Sequence, residues 1–256
     1  MRLLVSVRSV EEIEAALSGG AEIIDVKEPA LGALGAAARE VVESAAARVP
    51  PDVPLSVALG DPQSEAEVVA LVRRLMPRRR AGEVFLKMGF AGSDTESQAA
   101  RLLAAAVATA RDAGPAGMVA VAYADWARAH APAPLSVVDV AERTGAIGVL
   151  LDTFEKDGRD LFASMSLEAL TLWIEEARSA GLRVAVAGSL GAREIALLDG
   201  SPPDVVGVRG AACEGGRMGC VSETRVRALR VAAEKVGAAT PAAPAKRQMI
   251  APLTLT

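Results

Sequence analysis

Short β-rich segments alternate with helical segments along almost the whole chain, and this alternation constrains the fold more than any other feature. An eightfold β-then-α alternation in roughly 250 residues is typical of a closed (β/α)8 barrel. We therefore predict an α/β protein with a TIM-barrel fold, and a doubly wound open sheet is the alternative. The predicted strands are Leu3–Val7, Glu22–Val26, Pro54–Leu59, Glu83–Met88, Met118–Ala122, Ile147–Leu151, Arg183–Ala187 and Asp204–Val208.

Helix starts are indicated by Ser-x-x-Glu patterns, in which the serine side chain accepts a hydrogen bond from the first turn. They occur as Ser9-x-x-Glu12, Ser64-x-x-Glu67 and Ser93-x-x-Glu96, and Gly19-Gly20 predicts the end of the first helix. Amphipathic stretches predict further helices at Ala37–Arg48, Val137–Arg143, Leu167–Ala180, Ala192–Leu198 and Glu223–Lys235.

No break in composition divides residues 1–236, so we predict one catalytic domain there. Residues 237–256 are rich in Ala and Pro and are predicted to form a flexible tail. Within the tail, Met249–Leu253 is apolar enough to dock on the barrel.

The composition excludes several classes of function. With 51% hydrophobic and 23% charged residues, the chain has the composition of a globular protein. Aromatic residues make up only 3% and the net charge is −4, which disfavours nucleic-acid binding by stacking or by phosphate contacts. The first strand begins almost at Met1 with no export signal, and no apolar stretch is long enough to span a bilayer. We expect a cytoplasmic protein with no membrane partner; the sequence does not give its oligomeric state, and a homo-oligomer is compatible with it.

Resident cofactors are not expected. Cys213, Cys220 and His130 are the only cysteines and histidine, too few for a disulfide framework or a His/Cys zinc site. No Walker motif and no strand-linked G-x-G-x-x-G occurs, so a nucleotide cofactor is not indicated either.

Asp25 and Lys27 place an acid and an amine at the end of the second predicted strand. Because strand side chains alternate, both point to the same side of the sheet, which is the enclosed side if Ile24 and Val26 face the helices. A lysine held in a dry site tends to lose its proton, and the free amine can attack a carbonyl to form a Schiff base. The alternative is an Asp25–Lys27 ion pair that only stabilises the barrel.

Other strand ends bring further charged residues to the same rim. Lys87, Asp125 and Asp152 lie at or just beyond the carboxyl ends of the fourth, fifth and sixth strands, where the catalytic residues of a barrel gather. Lys156 follows in the longest unpatterned loop, which is expected to cover the site. Buried salt bridges are the alternative for Lys87 and Asp152.

Two glycine-containing loops follow the seventh and eighth strands, where barrel enzymes commonly bind a phosphate. They contribute Gly188, Ser189, Arg209 and Gly210, and Arg8 at the end of the first strand is a further candidate phosphate ligand. Glycine lets backbone amides approach an anion, and an arginine adds charged donors. Glycine turns needed only for tight strand-to-helix connections are the alternative.

Taken together, these segments resemble the (5-formylfuran-3-yl)methyl phosphate synthases, and the resemblance covers most of residues 1–230. It is carried by Leu3–Arg8, Asp25–Pro29 with Gly32–Gly35, Phe85–Gly89, Leu151–Thr153 with Lys156–Gly158, and Ala187–Leu190. The resemblance implies a barrel lyase that joins two glyceraldehyde 3-phosphate molecules into the furan precursor of a methanofuran-type carrier. It also implies that Lys27 carries the Schiff base and that Lys87 is the proton acceptor.

The residues themselves are compatible with that chemistry. An imine at Lys27 makes the adjacent carbon acidic, and the resulting enamine can attack a second aldehyde without a metal or an organic cofactor. Asp25, Asp125 and Asp152 would orient the amines and assist dehydration. Two other functions remain open: a general class I aldolase acting on a sugar phosphate, and a non-catalytic barrel that binds a phosphorylated metabolite.

Overall fold

The computed structural model describes residues 1–78 and 81–237, and it confirms the predicted TIM barrel. Eight parallel strands form one closed barrel in sequence order, and β8 pairs with β1. The predicted strands all occur, with bounds shifted by at most two residues. They are β1 (Arg2–Val7), β2 (Ile23–Val26), β3 (Leu55–Ala58), β4 (Val84–Met88), β5 (Ala116–Tyr123), β6 (Gly148–Asp152), β7 (Arg183–Val186) and β8 (Val205–Val208).

Helices follow the strands and cover the outside of the barrel. They are α1 (Glu11–Ser18), α2 (Arg39–Arg48), α3 (Glu65–Leu75), α4 (Glu96–Ala113), α5 (Trp126–Ala129), α6 (Pro134–Thr144), α7 (Leu167–Ser179), α8 (Ala192–Ala196) and α9 (Glu223–Lys235). Across the described ranges, no helix combines the length and apolar character needed to cross a bilayer. The predicted tail beyond Gly237, including Met249–Leu253, lies outside the described residues.

Only one of the three serine caps forms as predicted. The Ser64 side chain accepts a hydrogen bond from the Glu67 amide at the start of α3. The prediction for Ser9 was wrong, because Glu12 turns away to accept from the Arg8 amide. The prediction for Ser93 was also wrong: the cap of α4 is Thr95, two residues later, whose side chain accepts a hydrogen bond from the Gln98 amide.

A small antiparallel hairpin follows β8 and leads into α9. Its strands are β9 (Cys213–Glu214) and β10 (Cys220–Val221). Gly215 and Gly216 at its tip have φ of +79° and +77°, a region that favours glycine. The hairpin lies at the carboxyl end of the barrel, beside the loop between β2 and α2.

Apolar side chains form two cores. The larger one lies between the outer face of the barrel and the helices, and it includes Leu3, Val5, Ile24, Val26 and Trp173. The smaller core lies inside the barrel around Ala58, Val121, Tyr123 and Leu150. Since strand side chains alternate, the polar ends of β2, β4 and β6 share the inside of the barrel with this smaller core.

Candidate active site

A cavity of about 700 Å³ opens at the carboxyl ends of the strands. It continues along the barrel axis because inward positions such as Gly148, Ala185 and Gly207 carry little or no side chain. A TIM barrel is usually filled there by layers of side chains, so the space is unusual for the fold. Its size is within the range of small-molecule sites. The carboxyl-end lining includes Ser6, Lys27, Ser56, Lys87, Asp152, Lys156, Gly188, Ser189, Arg209, Gly210, Ala211 and Arg217.

Asp25 and Lys87 form a buried ion pair at the base of this end of the cavity. Lys87 Nζ lies 2.7 Å from Asp25 Oδ1, and Ser6 donates a hydrogen bond of 2.7 Å to the other carboxylate oxygen. Lys87 reaches Asp25 across β3 because Ser56 and Ala58, the strand's inward residues, are short. Burial raises the pKa of Asp25, but the ammonium groups of Lys87 and Lys27 and these hydrogen bonds outweigh it and hold the pKa below its ordinary value.

Lys27 lies beside this pair but has a different kind of partner. Its Nζ donates to the backbone carbonyl of Ala33 at 3.3 Å, and no carboxylate lies within 4.0 Å of it among the residues that the structure describes. The Ala33 carbonyl is presented by a tight loop in which a Cβ at Gly35 would lie 2.2 Å from the carbonyl of Glu28. Burial and the positive charge of Lys87 lower the pKa of Lys27 to about 7, although nearby aspartates oppose the shift.

Asp152 and Lys156 form a second ion pair near Lys27. Lys156 Nζ lies 2.7 Å from Asp152 Oδ1 and donates to the Thr153 hydroxyl at 3.1 Å. Burial raises the pKa of Asp152, but Lys156 and Lys27 and two hydrogen bonds lower it to about 2. Lys156 therefore reaches the cavity from its loop, which was predicted to cover the site.

Asp125 does not join the lysine cluster. Its carboxylate accepts hydrogen bonds from the amides of Phe154 and Glu155 at 2.6 and 3.0 Å, and it is absent from the cavity lining. The chain turns into α5 directly after Tyr123, so the strand alternation used to place Asp125 no longer applies. The structure corrects the predicted catalytic role: Asp125 holds the start of the loop that carries Lys156.

Arg209 points into the barrel as predicted, but its guanidinium has no N–H left for a phosphate. Nη1 and Nη2 donate to the two carboxylate oxygens of Glu12 at 2.5 and 3.0 Å, and both residues are buried. The remaining N–H groups donate to the backbone carbonyls of Ser6, Arg217 and Gly219. All five donors of the side chain are thus used within the protein. The predicted phosphate role of Arg209 is corrected to a structural one.

The other predicted phosphate ligands divide into two groups. Gly188, Ser189 and Gly210 line the cavity, whereas Arg8 does not and instead donates to the carbonyl of Met218. Ser189 has φ of +55°, which is uncommon for a residue with a side chain. Within the described part of the chain, the amides of Ser189, Gly210 and Ala211 have no hydrogen-bond acceptor, so these N–H groups are available to an anion.

Two features, one in the cavity lining and one outside it, were missed by sequence reasoning. Arg217, in the hairpin after β8, lines the cavity, and it lies outside any strand or helix whose periodicity could have placed it. Tyr123 donates to both oxygens of Asp61 at 2.8 and 3.0 Å, and Phe154 packs edge-on against its ring. Burial raises the pKa of Asp61, and burial together with the Asp61 carboxylate raises the pKa of Tyr123 well above its ordinary value.

No cluster of three or more side chains suited to hold a metal ion occurs within residues 1–78 and 81–237.

The fold and the buried lysine cluster define this protein as a TIM-barrel enzyme. Solved barrels of similar shape include 3-hexulose-6-phosphate synthase from Salmonella typhimurium, with a TM-score of 0.64 at 15% identity over 92% of this chain and 99% of that one. At this identity the likeness concerns the fold alone.

Comparison with known sequences is more specific. The family model for 4-HFC-P synthase matches residues 3–230. The (5-formylfuran-3-yl)methyl phosphate synthase of Methanothermobacter thermautotrophicus is 37% identical over 232 residues, which is 90% of this chain and 98% of that protein. The enzyme of the same name from Methanocaldococcus jannaschii is 38% identical over 217 residues, 84% of this chain and 92% of its own length. The chain belongs to the (5-formylfuran-3-yl)methyl phosphate synthase family, as its sequence pattern predicted.

Proposed function

We propose that this enzyme is a Schiff-base lyase that condenses two molecules of glyceraldehyde 3-phosphate into (5-formylfuran-3-yl)methyl phosphate. The balanced reaction releases one inorganic phosphate and two molecules of water. Its product would supply the furan part of a methanofuran-type one-carbon carrier. The membership of the chain in the synthase family supports the product, and the chemistry of the lysine cluster supports the route.

One observation carries the mechanism: of the three lysines that line the cavity, only Lys27 lacks a carboxylate partner among the residues that the structure describes. Lys87 and Lys156 each lie 2.7 Å from a buried aspartate. An ion-paired ammonium is a poor nucleophile, whereas a buried amine with a pKa of about 7 is about half deprotonated at neutral pH. We therefore assign the covalent step to Lys27.

In the first step, Lys27 Nζ attacks the aldehyde carbon of one triose phosphate, and loss of water gives an imine. The positive imine nitrogen makes the hydrogen on the adjacent carbon acidic, and a base removes it to give an enamine. We assign this proton transfer to Lys87: its ammonium passes one proton to the Asp25 carboxylate, 2.7 Å away, and the free amine then takes the proton from carbon. The enamine carbon then attacks the aldehyde of the second triose phosphate and forms the new carbon–carbon bond.

Closure of the ring needs the loss of phosphate and of the remaining water. We assign the protonation of leaving oxygens to Lys156, which Asp152 orients toward the cavity. To close the ring, a hydroxyl of the second triose unit attacks the imine carbon and expels Lys27 as an amine, so no water is consumed and the two waters are accounted for. The phosphate of the first substrate is held by the amides of Ser189, Gly210 and Ala211.

The experiment that tests this function is incubation of the purified protein with glyceraldehyde 3-phosphate alone. A furan aldehyde absorbs in the near ultraviolet, and mass spectrometry identifies its phosphate ester. Release of inorganic phosphate in a one-to-one ratio with the furan is the expected stoichiometry. An adduct without near-ultraviolet absorption would instead identify a general class I aldolase, and binding without turnover would identify a barrel that only senses a phosphorylated metabolite.

Because its substrate is an intermediate of central metabolism, we also propose that the enzyme works in the cytoplasm. Cell fractionation followed by assay of furan formation tests this location. Activity confined to the membrane fraction would contradict it.

A further inference from the structure

Among the described residues, the cations at the carboxyl end of the cavity are paired with an acid except for two, Lys27 and Arg217. Lys87 is paired with Asp25, Lys156 with Asp152 and Arg209 with Glu12. Arg217 lines the same end, and no carboxylate lies within 4.0 Å of its guanidinium among residues 1–78 and 81–237. Besides Lys27, it is therefore the one cavity-lining cation at this end whose charge is not matched by an adjacent acid.

The protein holds Arg217 in a defined position. The buried Arg209 side chain donates to the backbone carbonyls of Arg217 and Gly219, at 3.1 and 2.8 Å, and so fixes the hairpin to the barrel. A Cβ at Gly219 would lie 1.7 Å from the carbonyl of Glu214, so the turn closes only around a glycine. The buried Glu12–Arg209 pair thus serves to place Arg217 over the cavity.

The guanidinium of Arg217 is only partly used by the protein. Nη2 donates to the backbone carbonyls of Pro29 and Gly32, in the loop between β2 and α2. The Nε and Nη1 groups have no acceptor within the described ranges. A positive charge with free donors, in contact with a cavity, is suited to a phosphate group.

Two phosphate sites are needed if two triose phosphates are to react. The backbone of Arg217 lies against Gly210, while its side chain extends to the loop that also presents Ala33 to Lys27. The guanidinium is therefore separated by the length of an arginine side chain from the backbone that lies against Gly210. This separation allows two anion sites, one at the backbone amides and one at the guanidinium.

We propose that Arg217 binds the phosphate of the second triose phosphate, the one whose aldehyde is attacked by the enamine. This assignment rests on the proposed function, because it requires two phosphorylated substrates. It also explains why the charge of the neighbouring Arg209 is fully neutralised. Arg209 is a positioning residue for the hairpin, and Arg217 is the residue that contacts substrate.

The test separates binding of the first substrate from binding of the second. Borohydride trapping of the Lys27 imine needs one triose phosphate, whereas furan formation needs two. In Arg217→Met, the glyceraldehyde 3-phosphate concentration for half-maximal trapping should stay within twofold of the parent. The concentration for half-maximal furan formation should rise tenfold or more, as expected for the loss of charged hydrogen bonds. Arg217→Lys keeps the charge but not the planar donors. Its concentration for half-maximal furan formation should lie between those of the parent and of Arg217→Met.

Arg193→Met is the matched control, because Arg193 is an exposed arginine of α8 that does not line the cavity. It should leave both concentrations unchanged, and circular dichroism should show that all variants are folded. Unchanged furan formation in Arg217→Met would overturn the proposal, as would an equal shift in trapping and furan formation. If the parent forms neither imine nor furan, the proposed function fails. Calorimetry with inorganic phosphate then decides on Arg217: binding weakened in Arg217→Met but not in Arg193→Met supports the anion site, and equal binding overturns it.

Discussion

Arg209→Met should destabilise the protein strongly, because it leaves the Glu12 carboxylate buried without its partner. Arg209 and Glu12 side chains are only 3% and 5% exposed, and two parallel hydrogen bonds join them. Removing one partner of a buried ion pair costs about 3–5 kcal/mol. For a domain of this size, each kcal/mol lowers Tm by about 2–4 °C, so we expect a decrease of roughly 6–20 °C.

The assay is thermal and urea unfolding of Arg209→Met next to a control on an exposed pair. Arg227 pairs with Glu223 on the surface of α9, and Arg227→Met should change the free energy of unfolding by at most about 0.5 kcal/mol. The double variant Glu12→Leu/Arg209→Met should recover part of the loss, because it removes the stranded carboxylate. If the free energy of unfolding of Arg209→Met falls by less than about 1 kcal/mol and inhibition by inorganic phosphate is lost, the structural role is refuted. Arg209 would then be assigned to phosphate binding.

Three further outcomes follow from the site. Lys87→Met should lower furan formation by about a hundredfold or more while borohydride still traps an imine on Lys27; undiminished turnover would remove Lys87 from proton transfer. In the parent, kcat/KM should rise about tenfold per pH unit below pH 7 and level off above it, since deprotonated Lys27 accumulates above a pKa of about 7; a rise continuing toward pH 10 would indicate an ordinary lysine. Asp125→Ala should expose the loop at Phe154 and Glu155 to limited proteolysis, because both amides lose their acceptor; an unchanged cleavage pattern would contradict its positioning role.

The sequence predicted the barrel because each strand is a short apolar segment set off from an amphipathic helix. The same alternation placed Asp25 and Lys27 inside the barrel, since two residues of one strand must share a face. These inferences depend only on local periodicity, which the sequence displays directly. The helix caps were less predictable. Ser9 and Ser93 both match the Ser-x-x-Glu pattern, but Glu12 accepts a hydrogen bond from the Arg8 amide, and Thr95 rather than Ser93 caps α4.

The environment of Arg209 could not be predicted in this way. Its inward direction follows from strand alternation, but its partner Glu12 lies on α1, at the other end of the sequence. Arg217 belongs to a hairpin with strands of two residues, which is too short to show a period. Asp125 was misplaced for a related reason: the chain leaves the strand just before it. Contacts between distant segments decide all three positions.

The most direct test of the central claim is to identify the lysine that forms the imine. The protein is incubated with glyceraldehyde 3-phosphate, reduced with borohydride and digested, and the modified peptide is sequenced by mass spectrometry. The expected result is a reduced triose phosphate adduct on Lys27 and its absence from Lys27→Met, while Lys87→Met is still labelled. An adduct on Lys87 or Lys156 in the parent, or no adduct at all under conditions in which the furan forms, would contradict the account.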